Sequence, residues 1–319
     1  NEKPKEEDKR EILNQNIMNQ QEYEFRELGP VWHLCTPGEH QCAIFRTRED
    51  FVFGMNLVAL AAYSYREEIK ILTFQIMSNH FHFVLACEEV ALNGFFDFIY
   101  KRLKRYLANG QRGSDLNRLT FKYFNIDNLN YLQTVIAYVN RNGYLVDNST
   151  TPFSYPWGAN SFFFNRFKEN INSIKLSGMS IEKQRKLFKS RNFEIDDNYE
   201  FLTEFGYISP ASYCHIPQAE NFYTNAHHYF NLLSRRVESF SQIARELSDS
   251  IIYTDEEIYT AVLAICNKRF DVKNPTLLGK QDKISLAKQM KYEYNASNKQ
   301  IGRIIKLDEG LLSSIFPGD

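Results

Sequence analysis

The sequence has few cysteines, and none of them is in a paired arrangement. Its five cysteines are scattered over 319 residues and form no CxxC pair, so reduced thiols are expected rather than a disulfide framework. No apolar run is long enough to cross a membrane, and no signal peptide is visible. The sequence therefore favours a cytoplasmic protein with no membrane partner.

The chain also lacks the excess positive charge that most nucleic-acid-binding proteins carry. Lys and Arg number 38, Asp and Glu number 39, and the net charge is -1. Any contact with a polyanion must therefore depend on local basic clusters. Aromatic residues are abundant, with 26 Phe and 19 Tyr. Most are expected to fill the core, although such rings also stack on unpaired bases.

The order of the predicted elements indicates an α+β fold. The predicted elements are a strand at 31–35, a helix at 48–65, strands at 69–77 and 81–87, a helix at 92–107, a strand at 119–126 and a helix at 127–142. The first six form the ferredoxin-like split βαβ arrangement with an antiparallel sheet. Its two internal helices would cover one face of the sheet and leave the other face free to carry chemistry.

Composition and periodicity divide the chain into four segments. Residues 1–28 are a polar tail or a solvated helix, 29–165 are the α+β domain, 166–250 are a helical linker region, and 251–319 are an all-α extension. The last segment has helical periodicity at 256–269, 282–293, 298–305 and 309–316, which suits a helix-turn-helix unit. Ser297 and Gln300 are spaced as a capping box. The long C-terminal extension favours a monomer over a homodimer.

Two histidines at the start of the third predicted strand, one just before it and one within it, are candidate metal ligands. His80 and His82 lie two residues apart, so a strand directs both imidazoles to the same face and Phe81 to the other. Taken alone, this pattern is weak, because two such histidines are more often surface or core residues than ligands.

The last helix of the α+β domain adds two further candidates. Tyr138 and Asn142 are four residues apart and share one helix face, so Tyr138 would stand over the sheet face that carries the histidines. The Asn142 amide could supply an oxygen ligand to a hard divalent cation such as Mg²⁺ or Mn²⁺. The alternative is that Tyr138 is a buried helix tyrosine with a satisfied hydroxyl.

Four motifs in this order resemble those of the single-tyrosine HUH transposases, and specifically the REP-associated tyrosine transposase branch. They are Trp32-His33-Leu34, the segment 77–85 around His80-Phe81-His82, the segment 138–143 from Tyr138 to Gly143, and Tyr155-Pro156-Trp157. The resemblance covers residues 29–165, about half of the chain. Ser78 and Gly143 stand where that family has proline.

The resemblance implies a metal-dependent endonuclease and strand transferase that acts on single-stranded or hairpin DNA. Tyr138 would be the catalytic nucleophile that forms a 5′-phosphotyrosine, and His80, His82 and Asn142 would hold the metal. No nucleotide cofactor would be needed. The alternatives are a domesticated hairpin-DNA-binding regulator without cleavage activity and an HUH nuclease of the rolling-circle replication initiator type.

Two groups of basic residues are candidate DNA contacts. The first group consists of Lys101, Arg102, Lys104, Arg105 and Arg112. It could neutralise phosphates, but a solvated helix end and a solvated loop are the alternatives. The second group is Lys299 and Arg303, in a segment that resembles the DnaA C-terminal helical DNA-binding domain. A helical extension that serves only for packing is the alternative there.

Overall fold

The structure is a computed structural model that describes residues 6–36, 43–117, 119–145, 154–165, 171–233, 255–294 and 296–316. The chain divides into two compact units. The first comprises residues 1–144 and 149–234, and the second comprises 145–148 and 235–319. No helix in the described segments is both long enough and apolar enough to span a membrane.

The first unit contains two antiparallel sheets and the helices that pack on them. Its elements in chain order are α1 (Glu6–Glu27), β1 (Val31–Cys35), α2 (Arg48–Ser64), β2 (Lys70–Ile76), β3 (Phe81–Ala86), α3 (Glu89–Asn109), β4 (Lys122–Ile126), α4 (Leu129–Leu145), β5 (Ser173–Lys175), α5 (Ile181–Phe188), β6 (Glu200–Leu202), β7 (Tyr207–Ile208), α6 (Ile216–Asn221) and α7 (Ala226–Leu233). The α+β class predicted from the sequence is confirmed.

The larger sheet has the strand order β2-β3-β1-β4, and every neighbouring pair in it is antiparallel. Together with the intervening α2 and α3, this is the order of a split βαβ unit. The two central strands, β1 and β3, are paired so that Cys35 lies opposite His82 and His33 lies opposite Val84. These four residues therefore project from the same face of the sheet.

One face of this sheet is apolar and is covered by α2 and α3. The Phe74 and Phe83 rings stack across β2 and β3 at 5.6 Å, and Phe95 of α3 packs edge-on against Phe83 at 5.4 Å. In α2, Gly54 approaches Ile76 on the same face. This arrangement agrees with the prediction that the two internal helices share one face.

The opposite face, which carries the histidines, is covered by α4 and is not open. The Thr73 hydroxyl donates to Asn140 Oδ1 at 2.5 Å, and Gln75 Nε2 donates to the Asn140 carbonyl oxygen at 3.0 Å. Thr73, Gln75 and Asn140 are all fully buried. The expectation of an open face was wrong, because the polar side chains of β2 pair with α4 instead of with water.

The bounds of α4 differ from the prediction at both ends. Asn128 precedes its first turn, and the Asn128 Oδ1 atom accepts a hydrogen bond from the Tyr131 backbone N–H at 2.8 Å. The helix continues through Gly143 to Leu145. The predicted range, 127–142, therefore began two residues too early and ended three residues too early. Asn and Asp are about equally good caps, so the sequence Asp127-Asn128 left one residue of ambiguity.

The region after residue 165 is not purely helical. Its described part, 171–233, contains a three-stranded sheet of order β5-β6-β7 as well as α5, α6 and α7. Strands of two or three residues are too short to show an alternating pattern in the sequence. Asn56 of α2 fixes this small sheet, since its Oδ1 accepts from the Ile208 N–H at 3.0 Å and its Nδ2 donates to the Gly206 carbonyl oxygen at 3.3 Å.

The second unit is helical in its described residues. It contains α8 (Asp255–Ile265), α9 (Lys280–Tyr294), α10 (Asn298–Ile305) and α11 (Glu309–Ile315). The predicted capping box at the start of α10 is confirmed, with the Ser297 side chain accepting from the Gln300 N–H and the Gln300 side chain accepting from the Ser297 N–H. Ile301 and Ile305 of α10 are fully buried.

The outer edge of β2 is covered by the segment that contains Trp157. The Ile76 N–H donates to the Trp157 carbonyl oxygen at 2.8 Å, and the Ala159 N–H donates to the Phe74 carbonyl oxygen at 3.0 Å. Gly158 lies between them and bridges Gln75. This pairing satisfies backbone groups that an exposed edge would leave available for aggregation.

We expect Gly158→Ala to lower the free energy of unfolding by about 1 to 3 kcal/mol, because the added methyl group overpacks the edge of β2. A Cβ at this position would lie 2.6 Å from the Phe74 carbonyl oxygen. Urea denaturation followed by circular dichroism measures the change. Gly178→Ala is the matched control, since a Cβ there meets nothing within 4 Å. Equal stability of the two variants would contradict the close approach at Gly158.

Candidate metal and nucleophile site

His80 and His82 are positioned by the turn that joins β2 to β3. The Met77 N–H donates to the His80 carbonyl oxygen at 2.8 Å and closes the turn. The Ser78 carbonyl oxygen accepts from the Ile44 and Phe45 N–H groups at 2.7 and 2.8 Å, so a second segment holds the turn in place. The two imidazole rings lie 5.0 Å apart and perpendicular. His82 is fully buried and His80 is 8% exposed.

A third histidine, which the sequence did not mark as a site residue, contacts this pair. His33 of β1 lies with its Nε2 atom 3.1 Å from His82 Nδ1, and the two rings are 5.3 Å apart. The sequence contained His33 only as part of the Trp32-His33-Leu34 motif. Side chains alternate between the two faces of a strand, so the sequence places His33 on one face of β1. Only the long-range pairing of β1 with β3 brings that face to His82.

Tyr138 of α4 lies against the same histidines. The centroid of its ring is 5.7 Å from that of His82 and 6.1 Å from that of His33, and both contacts are edge-on. The phenol therefore lies where the sequence placed it, beside the imidazoles. It is also only 1% exposed, so it is covered as well as close.

Asn142 lies one turn further along α4 and is 9% exposed. Its Nδ2 atom has no hydrogen-bond partner among the residues that the structure describes. A buried amide donor without a partner costs roughly 1 to 3 kcal/mol, and such groups often mark a place where a ligand or an ion completes the contacts. This observation is compatible with a ligand-binding role for Asn142.

The contact with Asn79 fixes the tautomer of His80, whereas the tautomer of His82 depends on which ring donates in its contact with His33. His80 Nδ1 lies 2.7 Å from Asn79 Oδ1, and an amide oxygen can only accept, so Nδ1 carries the proton and Nε2 carries the lone pair. If His82 Nδ1 donates to His33 Nε2, His82 Nε2 carries a lone pair too. Metal-ligating histidines typically donate their second N–H in this way.

The donor set fits a divalent ion with open coordination positions. In the described residues no group of three or more His, Cys, Asp or Glu side chains is arranged to hold a metal ion. Two imidazoles and the Asn142 amide oxygen would leave the remaining positions to water and substrate, which is what a catalytic ion needs. These residue types suit Mg²⁺ or Mn²⁺, and the assignment of His80, His82 and Asn142 as ligands stays a prediction.

The basic cluster on α3 lies on the other side of the sheet from the histidines. Lys101 pairs with Asp97 at 3.0 Å, and Lys104 lies over the Tyr100 ring. Arg102 lies over the Phe98 ring at 4.6 Å. Burial, and then the repulsion of Arg105, lower the pKa of the Arg102 guanidinium. Three of the four predicted DNA contacts on this helix are therefore engaged with their own helix, and Arg105 is exposed.

Arg112 is used within the fold rather than presented to solvent. Its Nη1 atom donates to Asp50 at 2.8 Å, its Nε atom donates to Asp115 at 3.0 Å, and its Nη2 atom donates to the Ile44 carbonyl oxygen at 2.6 Å. Burial alone would raise the pKa of the Asp50 carboxyl, but hydrogen bonds from the backbone of Arg46, from Arg112 and from other groups outweigh burial and lower it. The structure thus gives Arg112 a structural role that the sequence did not indicate.

The last two predicted DNA contacts lie in the second unit. Lys299 and Arg303 are exposed, four residues apart on α10, so they share one face of that helix as the sequence predicts. Buried Ile301 and Ile304 occupy the other side of α10. A duplex or hairpin contact at this face remains a prediction.

No known protein family, curated protein or solved structure matches this chain. The resemblance to single-tyrosine HUH transposases therefore depends on four short motifs. The arrangement of His33, His80, His82 and Tyr138 is independent of any relative, because it follows from strand pairing and from the packing of α4.

We expect Arg112→Gln to lower the free energy of unfolding by about 3 kcal/mol, because it leaves the buried Asp50 carboxylate without its cation. The Asp50 side chain is only 7% exposed. Thermal and urea denaturation measure the change. Lys101→Gln is the charge-matched control and should change stability little, since both members of its ion pair are exposed. A fully stable Arg112→Gln variant would return Arg112 to the candidate DNA contacts.

Proposed function

We propose that this chain is a metal-dependent single-strand DNA endonuclease and strand transferase of the single-tyrosine HUH transposase type. The observation that carries the proposal is the contact of the Tyr138 ring with the His82 ring at 5.7 Å. A candidate nucleophile and a candidate metal ligand, 56 positions apart in the sequence, are thus neighbours in the fold. The substrate class, single-stranded or hairpin DNA, follows from the motif resemblance.

In the proposed reaction the Tyr138 phenolic oxygen attacks a DNA phosphorus atom. The new P–O bond to the tyrosine forms while the P–O3′ bond breaks, and the 3′ oxygen leaves as a hydroxyl with the proton that the phenol gives up. A 3′ hydroxyl can later attack the 5′-phosphotyrosine and regenerate a phosphodiester, so strands are joined without a nucleotide cofactor. The divalent ion, when bound, offsets the charge that develops on the scissile phosphate.

The chain's own residues orient these groups. Asn79 accepts from His80 Nδ1, which leaves the lone pair of that ring on Nε2, and the His33 imidazole lies beside His82 Nδ1 and restrains the orientation of the His82 ring. His33 is therefore a positioning residue. Asn142 provides the amide oxygen for the ion, and its Nδ2 donor can contact substrate in the same site.

The described form is closed over the reaction centre. Tyr138 is 1% exposed and His82 is fully buried, so a scissile phosphate reaches them only after the packing of α4 gives way. Asn140 anchors α4 through hydrogen bonds to Thr73 and Gln75 on β2 and to the Tyr229 hydroxyl on α7. Gln133 of α4 adds bonds to the Phe222 carbonyl oxygen and from the Tyr223 hydroxyl. Catalysis by Tyr138 therefore includes an opening step.

The closed site also favours one rival function, a hairpin-DNA-binding regulator that retains the fold without cutting. A regulator needs no access to Tyr138, so burial of the phenol costs it nothing. Against this reading, a binder that does not cleave has no evident use for the contacts that orient the His80 and His82 rings. Adduct formation decides between the two.

We expect the full chain, incubated with single-stranded hairpin DNA and Mn²⁺, to form a covalent protein–DNA adduct on a denaturing gel. Tyr138→Phe removes only the nucleophilic oxygen, so the variant should still bind the hairpin but form no adduct. Tyr131→Phe on the same helix is the matched control and should form adduct normally.

An adduct in the Tyr138→Phe variant would assign the nucleophile to another residue. Hairpin binding without any adduct in the unmodified chain, at any divalent ion tested, would favour the regulator instead.

We expect His33→Ala to weaken Mn²⁺ binding by about 10- to 100-fold, because His82 is left without the imidazole that orients its ring. Electron paramagnetic resonance of free Mn²⁺ measures affinity without DNA and without turnover. His33→Gln, whose amide oxygen can accept the same hydrogen bond, should recover part of the affinity. His227→Ala, at an exposed position on α7, is the control. Unchanged Mn²⁺ affinity in a folded His33→Ala variant would remove the positioning role.

A further inference from the structure

A basic hollow lies at the C-terminal end of α5, in a part of the chain where the sequence analysis found no functional signal. Its volume is about 500 Å³. It is lined by Arg185, Lys186, Lys189, Arg191, Ser190 and Glu182. Four cations and a single acid thus surround one concave surface of a chain whose net charge is -1.

The backbone brings the four cations together. The helix ends at Phe188, and Lys189 adopts a left-handed conformation with φ of 47°. The N–H groups of Lys189 and Ser190 both bond back to the Arg185 carbonyl oxygen. This turn reverses the chain, so Arg191, beyond the helix, lines the same hollow as Arg185 on its last turn.

The turn is anchored to the rest of the first unit. The Phe188 ring packs on Phe193 at 4.7 Å and is 2% exposed. Gln184 Nε2 donates to the carbonyl oxygens of Leu176 and Met179 at 3.0 and 3.1 Å. The cations therefore project from a fixed platform, which reduces the entropy cost when they bind a ligand.

The charges in this hollow are available to a ligand. Among the described residues, none of the four cations forms an ion pair with a carboxylate. The α3 cluster differs, since Lys101 is paired with Asp97 and two neighbours lie on aromatic rings. The helix dipole favours cations in the last turn of a helix, which explains why Arg185 and Lys186 occur there in α5. It does not explain the presence of Lys189 and Arg191 beyond the end of the helix.

We propose that this hollow binds the phosphodiester backbone of the DNA substrate, at nucleotides away from the scissile phosphate. The identity of the polyanion rests on the function proposed above. Exposed Lys and Arg side chains on a concave surface contact successive phosphates and release counterions, which gives affinity without base specificity. An anionic membrane is the less favoured occupant, because the only large exposed apolar side chain of α5 is Ile181 at its first position, and one aliphatic side chain gives little area to insert.

The hollow lies apart from the reaction centre. The helix α5 packs against α2, and α2 covers the apolar face of the sheet, whereas the histidines lie on the opposite face. Its contribution is therefore to DNA affinity and not to the chemical step. Removal of the cations should raise the DNA concentration needed for half-maximal adduct formation and leave the rate at saturating DNA unchanged.

The test is fluorescence anisotropy of a labelled DNA hairpin with the full chain, over a series of salt concentrations and without divalent ions. The variant Arg185→Gln/Lys186→Gln/Lys189→Gln/Arg191→Gln removes the four cations. We expect the slope of log affinity against log salt to fall by about 3 to 4, at about 0.7 to 0.9 for each of the four phosphates that are no longer neutralised. Glu182→Gln, which removes the one acid, should strengthen binding.

The charge-matched control is the α3 variant Lys101→Gln/Arg102→Gln/Lys104→Gln/Arg105→Gln, which we expect to change the slope less. An unchanged slope in the α5 variant, with an unmodified chain that binds the hairpin, overturns the hollow as a DNA site and leaves the nuclease proposal standing. An unmodified chain that binds no hairpin overturns both. If the α5 variant fails to bind phosphatidylserine vesicles that the unmodified chain binds, but keeps its affinity for DNA, the occupant is a membrane.

All the replaced side chains in the α5 variant are exposed, so the fold should be retained, and circular dichroism checks this. If the fourfold variant fails to fold, two single variants test the same proposal. Glu182→Gln should strengthen binding of the hairpin, and Arg191→Gln should weaken it. Equal affinities of these two single variants would contradict the proposal.

Discussion

The packing of α4 on a polar face of the sheet is the constraint from which the rest of the first unit follows. Thr73, Gln75, His33 and His82 all project from this face, and all are fully buried. Buried polar groups are costly unless they are hydrogen-bonded. The side chain and the backbone of Asn140 satisfy two of them, and the pairing of His33 with His82 serves the other two. A wholly apolar helix would leave the buried polar groups of this face without hydrogen bonds, and the fold would be less stable.

The packing of α4 favours stability but opposes the proposed activity. Contacts that cover Tyr138 stabilise the fold, but the proposed chemistry requires that DNA displace them. Active sites commonly give up some stability for such access. The small sheet β5-β6-β7 and the segment around Gly158 are fixed to α2 and β2, so opening need not disturb the apolar half of the core.

Local patterns predicted much of this architecture from the sequence. The order of strands and helices follows from periodicity within each element, and the capping box at Ser297 follows from a short spacing. The contact of Tyr138 with His82 was predicted from the helix face of Tyr138 together with the order of the elements, and His80 lies in the turn before β3 rather than in the strand. His33 escaped notice because its role depends on the pairing of β1 with β3, about 50 residues away. The covering of the histidine face was missed because the pairing of Asn140 with Thr73 is likewise a long-range contact.

Charge clusters were the least informative signals in the sequence. The run from Lys101 to Arg105 drew attention, yet most of its members contact their own helix, and Arg112 neutralises Asp50 inside the fold. The hollow on α5 is assembled by a left-handed turn at Lys189, which no linear charge count reveals. Whether a cation is available to a ligand depends on its distance from acids in three dimensions.

The most direct test of the central claim is to locate the DNA on the protein by mass spectrometry. Nuclease trimming of a protein–DNA adduct followed by trypsin digestion should leave a nucleotide on the peptide 123–141, which contains Tyr123, Tyr131 and Tyr138. The account predicts that fragmentation places the phosphate on the Tyr138 oxygen. Attachment to either of the other two tyrosines, or to a different peptide, would contradict it.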